Sequence, residues 1–68
     1  MIEILFGVSM RTDYTNWKGE RRERHIRPVS LRYGVSPYHP GPQWIVQAED
    51  LEDGGRVKDF ALSGFLSE

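Results

Sequence analysis

No stretch of this chain sustains an apolar period of 3.6 residues. Its apolar side chains recur every second position instead. A period of two is the mark of a strand with one face buried and one face in water. From Ile4 to Tyr14 the even positions Ile4, Phe6, Val8, Met10, Thr12 and Tyr14 share one face, and Leu5, Gly7, Ser9, Arg11 and Asp13 share the other. Thr15 to Gly19 reads as a turn, with Asn16 tolerant of the left-handed region and Gly19 free to take positive φ. A second strand is expected over Glu20 to Tyr33. There the apolar parity changes: Ile26 is even, but Val29, Leu31 and Tyr33 are odd, and Pro28 lies between them. A proline that cannot donate to a ladder, placed at a change of parity, predicts a bulge or a sharp bend.

Gly34 to Pro42 holds Pro37, Pro40 and Pro42 and is expected to be a stiff loop, carrying Tyr38 and His39. A third strand follows over Gln43 to Glu49, with Trp44, Val46 and Ala48 on one face; that company assigns Trp44 to the core. The acidic run Glu49, Asp50, Glu52 and Asp53 reads as a solvated hairpin tip closed by Gly54 and Gly55. The fourth strand is Arg56 to Leu62, and Ser63 to Leu66 is a short last strand or a packed tail. Four or five bent antiparallel strands with little or no helix point to an all-β fold, a small barrel that uses residues 1–68 as one domain.

At 68 residues the core is thin, which makes self-association useful. The chain has no cysteine, so neither a disulfide framework nor a thiolate zinc site is available. No apolar run is long enough to cross a bilayer, and the N-terminus lacks secretory features, so a cytoplasmic protein is expected. The formal net charge of −1 hides two halves. Residues 11–32 carry seven cations against three carboxylates, and residues 33–68 carry two against six. Such halves either form a polar binding face or pair with one another across strands, and cross-strand pairing is the more ordinary device.

Enzyme chemistry has little to stand on. The serines lie in no nucleophile-elbow context, and His25 and His39 are not spaced as a metal pair. The acidic run lacks the spacing of a calcium loop. No cofactor or metal is expected. What remains is a set of cations and rings, among them Tyr14, Trp17, Arg22, Arg24, Arg27, Tyr33, Tyr38, Trp44 and Lys58. Small β-barrels hold single-stranded nucleic acid with these ingredients, cations for phosphates and rings for bases. Trp17 stands at a turn tip, where it either caps the barrel end or contacts a ligand.

From Tyr14 onward the order of features resembles the WYL domain: Tyr14, Gly19-Glu20, Arg24, Pro28, Leu31, then Trp44-Ile45-Val46, Ala48, and last Lys58, Phe60 and Leu62. The resemblance covers roughly residues 14–66. It implies an Sm-like small β-barrel and a non-catalytic, ligand-sensing role toward single-stranded nucleic acid or a nucleotide-like molecule. It also implies a ligand surface lined by Arg24 and Lys58 beside the strand that starts at Trp44, and Arg22 and Tyr38 complete the candidate set. The chain departs from the family in three places. Ile45 replaces the namesake tyrosine, Lys58 stands where arginine is usual, and Gly64 falls where the family has its terminal arginine. The competing expectation is a protein-interaction or homo-oligomerising adaptor, for which the open edges of an incomplete barrel argue.

Overall fold

The computed structural model describes residues 3–37 and 39–66. Four strands, β1 (Met10–Thr15), β2 (Arg21–Ser36), β3 (His39–Asp50) and β4 (Arg56–Ala61), form one antiparallel sheet in chain order. A single helical turn, α1 (Leu62–Phe65), follows β4 directly.

β1 is shorter than its alternation suggests. Gly7 takes φ 81 and the segment before Met10 turns, with the Val8 amide donating to the Leu5 carbonyl at 3.3 Å. The first expected strand residues, Ile4 to Ser9, therefore lie outside the ladder. The β1–β2 turn is held by Asn16 in a way its backbone preference does not reveal. No non-glycine residue among those described has positive φ. Instead, the Asn16 side-chain oxygen accepts the amides of Lys18 and Glu20, each at 2.9 Å, while Gly19 supplies the positive φ.

The parity change at Pro28 is a real register shift. Pro28 pairs with Ala48 but Ser30 pairs with Gln47, so Val29 is the extra residue of a bulge. Opposed residues in a ladder share a face. Before the bulge, Ile26 and Pro28 lie with Asp50 and Ala48; after it, Leu31 and Tyr33 lie with Val46 and Trp44. All of these belong to the same face as Met10 and Tyr14 of β1 and Phe60 of β4.

Only half of that face is covered. The core is Tyr14, Ile26, Val46, Ala48, Phe60 and Phe65, with Ile4, Met10 and Leu62 packed against it. Leu31, Tyr33 and Trp44 stand on the uncovered half, and Trp44 is 49% exposed, which corrects its assignment to the core. Sharing a face with Val46 is not enough, because β1 pairs with β2 only as far as Ile26 and α1 packs over the other end.

The expected loop from Gly34 to Pro42 is mostly strand, with a turn at Pro37 and a second register shift between Gly34 and Ser36. Pro40 and Pro42 fit in β3 because β4 pairs only with Ile45–Asp50. Before Ile45, among the described residues, no strand pairs on that side of β3, and a missing amide hydrogen there breaks no ladder bond.

The sheet curls until β1 and β4 approach, but the two strands do not pair. Tyr14 bridges them. Its ring meets Phe60 edge-on at 5.0 Å between centroids and Phe65 at 4.8 Å, and its hydroxyl accepts the Ala61 amide at 3.0 Å. Gly64 makes the fit possible. A Cβ there would enter the Tyr14 ring and lie 2.6 Å from the Thr15 carbonyl oxygen. The result is an open, strongly curled sheet with a seam between its first and last strands.

Candidate functional site

The seam widens beyond the Tyr14 clasp into a cavity of about 550 Å³. That volume suits a small organic ligand. One wall is Tyr14, Asn16 and Trp17, from the end of β1 and its turn; the other is Val57 to Phe60 of β4. Arg24 forms part of the lining, and Pro37, at the tip of the β2–β3 hairpin, borders it as well.

Arg24 lies opposite Thr12 on the inner face, and its side chain is only 16% exposed. Its guanidinium carbon sits 6.0 Å from the Tyr14 ring centre and 5.7 Å from that of Phe60, within cation–π range. Nη1 is 3.7 Å from the Asp50 carboxylate, too long for a hydrogen bond. No described residue accepts a hydrogen bond from the guanidinium, and its Nε is buried without a partner. A fork of donors held between two rings at a cavity wall is suited to a carboxylate or phosphate.

Lys58 lines the same cavity, but its ammonium is already committed. It donates to Asp50 at 2.9 Å and lies 2.9 Å from Asp53. The hydrogen bonds it donates to those two carboxylates, reinforced by their charges, raise its pKa against the opposing effect of burial. Asp50 itself is 2% exposed, which corrects its assignment to a solvated tip. Burial works against its charge. The hydrogen bonds from Lys58 and the Glu52 amide, with the charges of Lys58 and Arg24, outweigh burial and hold the carboxyl below its usual range. Glu52 and Asp53 of the same run are exposed, as a hairpin tip requires.

The candidate residues thus separate. Arg24 and Lys58 converge on the cavity. Arg22 is 61% exposed and pairs with Glu52 at 3.8 Å, outside the lining. Trp44 stacks edge-on with Tyr33 at 5.2 Å, also away from it. Tyr38 lies outside the described residues. Trp17 is in the lining and 63% exposed, so it is not a buried cap of the barrel end. Lys18 lies over its ring at 5.3 Å and makes no ion pair with a described residue.

The two charge halves resolve as cross-strand pairing. Between the halves Arg27 meets Glu49 at 2.7 Å and Arg32 meets Asp59 at 3.1 Å, and within the basic half Arg21 meets Asp13 at 3.1 Å and Arg11 meets Glu23 at 3.9 Å. The basic stretch is therefore not an open cationic face. Among the described residues no three His, Asp or Glu side chains gather as metal ligands, and no helix is long and apolar enough to cross a membrane. No protein-family model, curated protein or solved structure matches the chain.

Proposed function

We propose that the domain is a non-catalytic binding module that takes a nucleotide-like ligand, or the end of a single-stranded nucleic acid, in the seam cavity. Arg24 carries the reading: a nearly buried guanidinium with no hydrogen-bond acceptor among the described residues stands in a cavity that also offers an indole face. A phosphate supplies the acceptor for Arg24, and a base stacks on Trp17 beside Lys18. Because most other arginines are paired, the contact is local and does not run along an extended backbone.

The curl of the sheet and the Tyr14 clasp support reading it as an incomplete Sm-like barrel of WYL type. In that reading the family's usual contacts are replaced. Ile45 is fully buried and Gly64 is packed on Tyr14, so neither position presents a polar group to a ligand. The turn residues Asn16 and Trp17 take their place.

The test is fluorescence titration in a Trp44→Phe background, which leaves Trp17 as the one reporter of the two tryptophans. Nucleoside monophosphates and short single strands are added at low and moderate salt. Quenching is expected, with two cations engaged giving a log–log salt slope of about −1.4 for a strand. Arg24→Gln is expected to weaken binding roughly tenfold or more, the worth of a hydrogen bond to a charged group. Absence of any binding at low salt defeats the proposal.

A further inference from the structure

The two free edges of this sheet are built differently. β4 faces the seam with Arg56, Lys58 and Asp59 along it. Charges of this kind keep an edge from pairing with another chain. The second half of β2 has no such guard. The β1 ladder stops at Met10 opposite Ile26, and the Gly7 amide reaches the Pro28 carbonyl at 2.8 Å. Beyond Pro28, among the described residues, no strand pairs on this side of β2.

The stretch left open is apolar. Val29, Leu31, Tyr33 and Val35 are 51%, 44%, 61% and 62% exposed, and Trp44 packs beside Tyr33. Its one charge, Arg32, lies on the opposite face with Ile45, is tied to Asp59, and also donates to the Val35 carbonyl at 3.4 Å. Among the described residues no side chain of this edge repels a copy of itself, and the backbone from Val29 to Tyr33 has no strand beside it on this side. Leu5, Phe6 and Val8, about half exposed, approach the same edge where Gly7 meets Pro28.

We propose that this edge, Val29 to Val35, pairs antiparallel with the same edge of a second copy, giving a two-fold dimer. Antiparallel self-pairing is isologous: centred on Tyr33, it sets Tyr33 against Tyr33 and Leu31 against Val35, so apolar side chains meet one another and no charge is left facing a ring. The exposed area of these side chains with Trp44 is on the order of 500 Å² per copy, and a contact covering both sets buries about 1,000 Å², the threshold for a specific interface. The ligand cavity approaches this edge only at Pro37, which follows β2.

The test is sedimentation equilibrium of the full chain from about 1 µM to about 1 mM, the range in which a contact of threshold size is expected to associate. The mass should rise from one copy to two and no further. Leu31→Lys and Val35→Lys, at exposed positions that leave the fold's circular dichroism unchanged, should each weaken the dimer roughly thirtyfold, as loss of a hot spot does. Leu66→Lys, equally exposed but beyond α1, should leave the constant unchanged. A chain that stays monomeric to the highest concentration overturns the proposal. So does a dimer that Leu31→Lys and Val35→Lys leave intact, since its contact must then lie elsewhere.

Discussion

Replacing Tyr14 with phenylalanine isolates the clasp that draws the sheet's ends together. The ring contacts with Phe60 and Phe65 remain, and only the hydroxyl that accepts the Ala61 amide at 3.0 Å is lost. Tyr14 and Ala61 are 4% and 6% exposed, so the amide has no ready replacement. An unsatisfied buried donor costs about 1–3 kcal/mol. At the middle of that range the melting temperature of a domain this size falls by roughly 8–16 °C. Urea unfolding followed by circular dichroism measures the loss, with an unchanged m-value showing that the native sheet is otherwise the same. A loss below about 0.5 kcal/mol refutes the reasoning, because surface substitutions cost no more. The alkaline side supplies a second readout. Burial raises the Tyr14 pKa above 10.0, although the Ala61 amide and the Arg24 charge pull it down. The unfolded chain thus gives up that proton first, and stability present below about pH 10 is lost as pH rises through the folded value. Phenylalanine removes that part of the loss and leaves the part due to Lys58, whose pKa is also raised.

Asp50→Asn should destabilise the protein by about 2–4 kcal/mol, because it leaves Arg24 and Lys58 without their shared counter-charge. The Asp50 carboxyl titrates below its ordinary 3.8 in the folded state, so its contribution is present above about pH 4 and is lost as pH falls through the depressed value. Acid unfolding of the variant should be correspondingly flatter when followed by circular dichroism. Gly64→Ala should cost about 1–3 kcal/mol by overpacking in thermal unfolding, since the Tyr14 ring and the Thr15 carbonyl occupy the space of the added methyl. Trp17→Ala should change stability by no more than about 0.5 kcal/mol, as befits an exposed side chain, while abolishing nucleotide binding in calorimetry.

Much of the architecture was legible in the sequence for local reasons. Turns marked by Gly19 and by Gly54-Gly55 lie where they were read, and the switch at Pro28 is the bulge that its change of parity predicts. The arginine-rich stretch and the acidic one pair across strands, as ordinary sheet surfaces do. What was not legible depends on coverage. Alternation tells which face a residue joins, but not whether anything lies over it. Trp44 shares the face of Val46 and Ala48, yet one is exposed and the others are buried, because cover comes from Tyr14 and from a helical turn at Leu62–Phe65. Asp50 was misread for the same reason. Its run looks solvated, but the register sets Asp50 opposite Ile26 and between Arg24 and Lys58. The site was half visible: Arg24 and Lys58 stood out by type, whereas the part of Asn16 and Trp17 depends on how far the sheet curls.

The central claim, that the seam around Arg24 is a ligand site, is tested most directly by amide chemical-shift mapping during titration with a nucleoside monophosphate. The account predicts saturable shifts confined to the seam, at Asn16, Trp17, Arg24 and Val57 to Phe60, and their loss in Arg24→Gln. Shifts that map to Val29–Val35 instead, or that persist unchanged in Arg24→Gln, contradict it.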